Sequence, residues 1–153
     1  MNRLNYRKAQ QEDVPLIVHL LADDKLGSQR EQIQDPLPAI YYEAFSRISA
    51  DTNQELWVVE MAQVGVIGTF QLSFIPYLSY QGGIRAQIEA VRIRADYRGQ
   101  GIGKEVLSWV IQRAKEKGAH LLQLTSNKQR SKAIRFYEQL GFISSHEGMK
   151  LHF

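Results

Sequence analysis

The sequence predicts one α/β domain built on a central, mostly antiparallel sheet with one parallel pair of strands. Between residues 86 and 125 an extended segment, a glycine-rich turn, an amphipathic helix and a second extended segment follow one another. This order gives a parallel crossover. Residues 55–74 have the alternation and central turn of a β-hairpin. A chain of 153 residues without internal repeats is the size of one domain. We therefore expect a single domain over residues 1–153, with about four helices flanking the sheet.

The N-terminal elements are predicted from local patterns. Residues 4–9 alternate apolar and polar side chains, as an edge strand does. A helix is expected over residues 14–21, with Asp13 as its N-cap. The polar segment 28–37 reads as a connection, and a second helix is expected at 39–48.

The remaining elements follow from the same apolar periodicities. In chain order they are strands at 55–61 and 66–74, a loop at 75–83, a strand at 86–94, a helix at 104–117, a strand at 120–125 and a helix at 131–140. Residues 142–145 and 149–153 alternate again, which predicts a terminal hairpin. Gly118 and Gly141 stand where helix ends favour glycine.

The composition excludes several classes of site. The chain contains no cysteine, which rules out a disulfide framework, a thiolate metal site and a cysteine nucleophile. The four histidines have no metal-ligand spacing, so no metal is expected. No apolar run is long enough to cross a bilayer and no signal-peptide pattern is found. We therefore expect a cytoplasmic protein that does not bind membranes.

Charge is distributed unevenly along the chain. Residues 1–60 carry six Lys and Arg against ten Asp and Glu, a net charge of −4. Residues 61–153 carry thirteen against six, a net charge of +7. The basic part suits a polyanionic cofactor, and the acidic part suits a cationic acceptor, although solvated surfaces explain most such charges. No dense basic run or finger motif is present, so no nucleic-acid partner is expected.

The stretch Arg98-Gly99-Gln100-Gly101-Ile102-Gly103-Lys104 carries the strongest functional signal. Glycines can turn sharply and bring backbone N–H groups close to a ligand. The helix that follows leaves its first N–H groups free at the positive end of its dipole. The turn, these N–H groups and the dipole together make an anion site. The spacing of the glycines does not fit the dinucleotide fingerprint. The stretch does not fit the Walker A loop either, because Glu105 stands where that loop needs Ser or Thr.

Arg98, Gly101 and Gly103 do fit the pattern R-x-x-G-x-G. This pattern resembles the acetyl-CoA signature of the GCN5-related N-acetyltransferase (GNAT) superfamily. A second segment at 133–142, AIRFYEQLGF, resembles the A-x-x-F-Y-E-x-L-G-F segment of the same family. The two motifs stand in the family's order, separated by a helix and a strand. The resemblance is strong from Gln87 to Phe142 and weaker in the N-terminal half.

The resemblance implies a fold, a cofactor and a site. The parallel strand pair is expected to splay apart, with acetyl-CoA in the gap. The backbone from Arg98 to Lys104 is expected to hold the pyrophosphate. Backbone groups of Val91, Arg92 and Ile93 are expected to pair with the pantetheine arm, and the N–H of Val91 to face the thioester oxygen.

Two side chains are candidates for proton transfer. Tyr137, in the F-Y-E motif, is the expected general acid, because a phenol can return a proton to a departing thiolate. Glu89, the sole acid on the strand before the loop, is the expected general base, acting directly or through water. Its apolar sequence neighbours predict a raised carboxyl pKa. The alternatives are a packed core tyrosine and an outward-facing strand glutamate.

The chain departs from the family at one cofactor contact. The family often has Asn three residues before the Ala of the second motif, and Arg130 occupies that position here. Asn127 lies nearby but out of register, and Arg130 could instead reach a phosphate. Both are retained as candidate cofactor-binding residues.

The sequence leaves the acceptor unnamed. We expect transfer of an acetyl group from acetyl-CoA to a primary amine of a small molecule or protein, by direct attack in a ternary complex. Family members are often dimers, so a homodimer is an open expectation. The alternatives are a non-catalytic acyl-CoA-binding module and a nucleotide or nucleic-acid binder.

Overall fold

The computed structural model describes residues 4–153, and its sheet has five strands. They are β1 (Leu4–Lys8), β2 (Gln54–Met61), β3 (Gly65–Pro76), β4 (Ile84–Ile93) and β5 (Ala119–Gln123). They lie in the order β1-β2-β3-β4-β5. Neighbouring strands are antiparallel except for the parallel pair of β4 and β5. The predicted fold class, a mostly antiparallel sheet with one parallel pair, is confirmed.

The described residues form six helices. They are α1 (Val14–Ala22), α2 (Lys25–Ser28), α3 (Ala39–Ala50), α4 (Ser79–Gly82), α5 (Ile102–Glu116) and α6 (Ser131–Gln139). The four longer ones are those predicted from sequence. The two single-turn helices, α2 and α4, fall in segments predicted as a helix end and a loop. Short 3₁₀ turns precede α1 at Gln11–Asp13 and α5 at Ala95–Tyr97.

The chain divides into two compact units. The first runs to Gln123 and contains the sheet with α1 to α5, and the second is Leu124–Phe153 with α6. The expected extent of a single domain over residues 1–153 stays a prediction.

Helix α5 covers one face of the sheet through its apolar stripe. Trp109 stacks on Tyr6 with ring centroids 4.6 Å apart and contacts Trp57 edge-on at 4.8 Å. Phe70 of β3 also contacts Trp109, at 5.8 Å. Val106, Leu107 and Val110 of α5 are fully buried, as are Phe70 and Leu72 of β3. Burial of this apolar surface is the main stabilising term for the sheet and its helix.

Helix α1 lies over the opposite face, where charged side chains join it to the sheet. Arg7 of β1 donates two hydrogen bonds to Asp13, at 2.7 and 2.9 Å, and one to Glu60 of β2 at 2.7 Å. Asp13 also accepts a bond from the Gln10 N–H at 2.7 Å. Asp13 therefore stands at the start of α1 as predicted, but its side chain does not cap that helix. The Asp13 carboxylate instead accepts the bidentate pair of hydrogen bonds from Arg7.

The predicted terminal hairpin is wrong. Residues 142–145 and 149–153 contain no strand. The large side chains of Ile143, Met149 and Leu151 are at least four-fifths exposed. Alternation marks segments that suit a strand, but a strand gains its stability from neighbours and a buried face, which an isolated hairpin lacks.

The parallel pair joins over a short length. The last paired residues are Gln87 of β4 and Gln123 of β5, where β5 ends. Strand β4 continues to Ile93, so its last six residues extend beyond this pairing. The edge of β4 that faces β5 is thus released from Ile88 onward.

Candidate functional site

The glycine-rich loop joins the end of β4 to the start of α5. Gly99 and Gly101 have φ angles of 74° and 81°, which favour glycine over any residue with a Cβ. A Cβ added at either position would meet no atom within 4 Å, so space is open around both. Gly103 lies in the first turn of α5. The two positive-φ glycines therefore form the turn, with room for a ligand beside it.

Helix α5 begins with unsatisfied N–H groups at this loop. The N–H groups of Lys104 and Glu105 both donate to the carbonyl of Gly101, at 3.1 and 3.2 Å. Those of Ile102 and Gly103 precede any intrahelical acceptor. The positive end of the helix dipole coincides with them, so an anion is favoured here.

Hydrogen bonds from the side chains of Arg98 and Gln100 fix the position of this loop. Arg98 donates to the carbonyl of Ile93 at 2.8 Å and to the carboxylate of Asp23, after α1, at 2.8 Å. Gln100 donates to the carbonyl of Asp96 at 2.8 Å. Arg98 thus ties the loop to β4 and α1, and its guanidinium is engaged within the protein. Lys104 is exposed beside the loop.

A bulge distorts β4 just before its end. Gln71 of β3 faces Glu89, but Thr69 faces Arg92, so Ala90 and Val91 together oppose a single residue of β3. Ala90 has a φ of 56°, which is strained for a residue with a Cβ. Bulges occur next to active sites, where they turn the backbone away from regular pairing. Val91 therefore lies at a bend on the released part of β4.

Arg92 and Ile93 follow the bulge and are half-buried. The Arg92 guanidinium donates to the carbonyl of Val91 at 2.9 Å and lies 3.8 Å from the carboxylate of Asp24. The structure thus brings Val91, Arg92 and Ile93 together with the glycine-rich loop at one end of the sheet.

Glu89 is exposed rather than enclosed by apolar side chains. The apolar setting predicted for it from its sequence neighbours is therefore wrong, because in a strand those neighbours point to the opposite face. Its carboxylate accepts a hydrogen bond from Gln87 at 2.8 Å, and Gln87 accepts one from Gln123 at 2.9 Å. Glu89 is held in position while remaining open to water.

Tyr137, Asn127 and Arg130 lie in the second unit. The Tyr137 ring contacts Phe136 and Phe142 edge-to-face, at 5.3 and 5.7 Å. Asn127 accepts from the N–H of Gln129 at 2.9 Å through its side chain. Its carbonyl accepts from the N–H of Arg130, at 2.8 Å, just before α6 begins. Asn127 and Arg130 thus share one turn, and the convergence of this unit's residues with the glycine-rich loop stays a prediction.

Two features of the site were missed by sequence reasoning. Asp23 as the partner of Arg98 is 75 residues away, and no local pattern indicates it. The second feature is a row of polar side chains on the α1 face, which the sequence does indicate: polar residues at 71, 73, 87 and 89 alternate with the buried Leu72 and Ile88. That alternation predicts a polar face on the central strands.

Neither a metal cluster nor a spanning helix is found in the part of the chain that the structure describes. Within residues 4–153, no three side chains of His, Asp and Glu are grouped to hold a metal ion. None of the described helices combines the length and apolar character needed to cross a bilayer.

The sequence is similar to known acetyltransferases. The family model described as the acetyltransferase (GNAT) family matches residues 17–142. Over 81 residues the chain is 33% identical to an aminoalkylphosphonate N-acetyltransferase of Salmonella typhimurium. That alignment covers 53% of this chain and 52% of the relative, so the chain spans about half the length of this curated protein.

Solved structures match over nearly the whole chain. The crystal structure of a transcriptional regulator from Bacillus halodurans C-125 is 51% identical, with a TM-score of 0.93, covering 99% of this chain and 100% of that one. A predicted acetyltransferase from Clostridium acetobutylicum, solved with acetyl-CoA, has a TM-score of 0.73 at 24% identity, covering 98% and 96% of the two chains. The second likeness concerns the fold alone.

Proposed function

The chain belongs to the GNAT acetyltransferase family, and from this premise we propose that it transfers the acetyl group of acetyl-CoA to a primary amine in a ternary complex. The observation that carries the proposal is the loop at Gly99 and Gly101, with its free space and the N–H groups of α5 beside the released edge of β4. A diphosphate fits such a cradle, because backbone donors and the helix dipole both favour it.

The backbone of this chain does the binding. The N–H groups from Arg98 to Lys104 hold the pyrophosphate, and Val91, Arg92 and Ile93 pair with the pantetheine arm as an added strand would. Beyond Gln87 the edge of β4 is free of β5, which leaves room for that arm. The N–H of Val91, turned by the bulge, stabilises the developing oxyanion. Asn127 and Arg130 contribute further cofactor contacts.

Two side chains move protons. Glu89 accepts a proton from the ammonium group of the acceptor through water, which suits its exposed carboxylate. The amine nitrogen then forms the C–N bond as the C–S bond breaks. Tyr137 gives its proton to the departing sulfur and regains one from the nitrogen.

Amine-dependent release of CoA tests this function. Because the chain contains no cysteine, a thiol-reactive dye detects released CoA without a protein background. The purified protein is mixed with acetyl-CoA and a panel of amines, and we expect release that saturates with at least one amine. Acetyl-CoA binding without release by any amine would contradict catalysis.

A second candidate is a regulatory module that binds acyl-CoA without turnover. It is favoured by the 51% identity to a protein described as a transcriptional regulator. The basic character of residues 61–153 would suit a polyanionic partner as well as a cofactor. The same assay separates the two candidates, because a sensor retains acetyl-CoA binding and shows no amine-dependent CoA release.

A further inference from the structure

A row of polar side chains crosses the sheet on the face covered by α1, where β4 and β5 part. By strand register Gln54 faces Ser73, Ser73 faces Gln87, and Gln87 faces Gln123. Directly opposed residues project from the same face of a sheet. We call these four residues, with Gln71 and Glu89 beside them, the glutamine row.

Hydrogen bonds order the glutamine row into two groups. The side chains of Gln71 and Ser73 both donate to the side-chain amide oxygen Oε1 of Gln54, at 2.9 and 2.7 Å. Gln123 donates to Gln87 at 2.9 Å, and Gln87 donates to Glu89 at 2.8 Å. Bonds between two side chains are a small minority in proteins, so two such groups side by side, one on β2 and β3 and one on β4 and β5, make a distinctive surface.

The row retains capacity to bind a ligand. Each primary amide has two N–H donors and a carbonyl acceptor, and the bonds within the row use only part of them. Every member except Glu89 is half-buried, and Glu89 is exposed. Leu56 lies opposite Gln71, and on the other side of the row Ile75 and Leu121 lie opposite Arg85 on the same face. The row itself thus offers neutral donors and acceptors with a single negative charge.

The position of the row links it to the reacting group. Gln87 and Gln123 are the last paired residues of the parallel strands. Glu89 follows Gln87 by two residues, and Val91 follows Glu89 by two more, across the bulge at Ala90. An amine attacking a thioester held at Val91 from this face would lie against Gln71 and Glu89.

We propose that the glutamine row is the acceptor-binding surface and that the acceptor is a compact, hydroxylated primary amine, such as an amino sugar or amino polyol. This inference rests on the proposed function. Neutral amides bind hydroxyl groups through hydrogen bonds in both directions, while Glu89 attracts the ammonium group. An apolar amine would leave these polar groups unpaired on binding, which costs affinity.

The test compares glucosamine with cyclohexylamine, which shares the six-membered ring but has no hydroxyl groups. Rates are expressed per concentration of free base, because the two ammonium groups differ in pKa. We expect kcat/KM for glucosamine to exceed that for cyclohexylamine by about 100-fold. Gln71→Leu should reduce this ratio by about tenfold, through a higher KM for glucosamine.

Gln112→Leu is the matched control, since Gln112 is an exposed glutamine on α5, which covers the other face. It should leave the ratio unchanged. If Gln71→Leu does not fold, Ser73→Ala provides the same test with a smaller change. An unchanged ratio in the folded row variant, a wild-type preference for cyclohexylamine, or acetylation of neither amine would overturn the inference.

Calorimetric titration with acetyl-CoA accompanies each assay and separates the two claims. Loss of selectivity with acetyl-CoA binding intact supports the row. Absence of acetyl-CoA binding by the wild-type protein would reject the proposed function itself.

Discussion

At the scale of single residues, the candidate site contains one residue with a strained backbone and one whose side chain is fixed by a hydrogen bond. Ala90 has a left-handed backbone at the bulge, with a φ of 56°. Glu89 is tied to Gln87 but stays open to solvent. Such strain and fixed orientation persist only where the surrounding strands enforce them. They are what we expect of residues that position a reacting group rather than stabilise the core.

Tyr137→Phe tests the proposed general acid. The substitution keeps the ring contacts with Phe136 and Phe142 and removes only the hydroxyl. We expect kcat to fall by about 100-fold or more, with the Kd for acetyl-CoA changed less than about threefold. Steady-state kinetics and calorimetry measure the two quantities. A kcat equal to that of wild type would remove Tyr137 from the mechanism.

Tyr6→Phe supplies a control for that experiment and a prediction of its own. The Tyr6 hydroxyl is buried without a hydrogen-bond partner among the described residues, and burial raises its pKa to about 12, with the Glu105 charge as a second cause. Phenylalanine keeps the stacking on Trp109. We expect the free energy of unfolding in urea to rise by about 1 kcal/mol, with activity unchanged. A loss of stability would mean that the hydroxyl has a partner in solution.

At the scale of elements, β4, the glycine-rich loop and α5 follow one another as one continuous segment, which carries most of the candidate site. The pairing of β4 with β5 ends at Gln87. Strand β4 then bends at Ala90 and leads into the loop that precedes α5. Arg98 fixes this segment to α1 through Asp23. The loop can therefore present its N–H groups without first becoming ordered.

Gly101→Ala tests whether open space at the loop is used by a ligand. Alanine at a φ of 81° costs roughly 1–2 kcal/mol of strain, and its methyl group would enter the space expected to hold the pyrophosphate. We expect at least a tenfold weaker affinity for acetyl-CoA. Gly65→Ala is the control, because Gly65 has a φ of 89° and equally open surroundings at the start of β3. Equal losses of affinity in the two variants would indicate a general effect of strain.

At the scale of the whole molecule, local patterns predicted the elements, and non-local contacts decided the rest. Periodicity located the four longer helices and the five strands, and the strand–helix–strand order gave the parallel pair. Nothing local marks Ala90 for a positive φ, since the bulge depends on the register with β3. The exposure of Glu89 and the alignment of the glutamine row likewise depend on how the strands are paired and on the face of the sheet that each side chain occupies.

The C-terminal segment shows the limit of pattern reading. Met149, Leu151 and Phe153 alternate as a strand would, yet all three are exposed and unpaired in the sheet. Alternation specifies the face that a strand would bury, but it does not supply the neighbouring strand.

Acid sensitivity is predicted from the carboxylates of the first unit. Burial acts to raise the pKa of Glu55, but hydrogen bonds from Arg113 and Trp57, with the charges of Lys8 and Arg113, outweigh it and hold the pKa below its usual value. The Arg7 guanidinium lowers the pKa values of Asp13 and Glu60 in the same way. Groups with lowered pKa stabilise the fold above their unfolded pKa of about 4 and lose that contribution as pH falls.

The free energy of unfolding should therefore be nearly constant above about pH 6 and fall below about pH 4.5. Glu55→Gln should reduce stability at pH 7 by about 1–3 kcal/mol and make the acid decline shallower. Glu116→Gln is the control, because Glu116 lies 3.9 Å from the same Arg113 but is half-exposed. Urea unfolding between pH 3 and pH 8 measures these values, and an unaltered decline in Glu55→Gln would contradict this account.

Calorimetric titration of the wild-type protein with acetyl-CoA tests the central claim most directly, with ATP and NAD as control ligands. The account predicts saturable binding of acetyl-CoA at micromolar concentration and no comparable binding of the other two. Absence of acetyl-CoA binding, or equal binding of all three, would contradict the assignment of the glycine-rich loop and the proposed acetyl transfer with it.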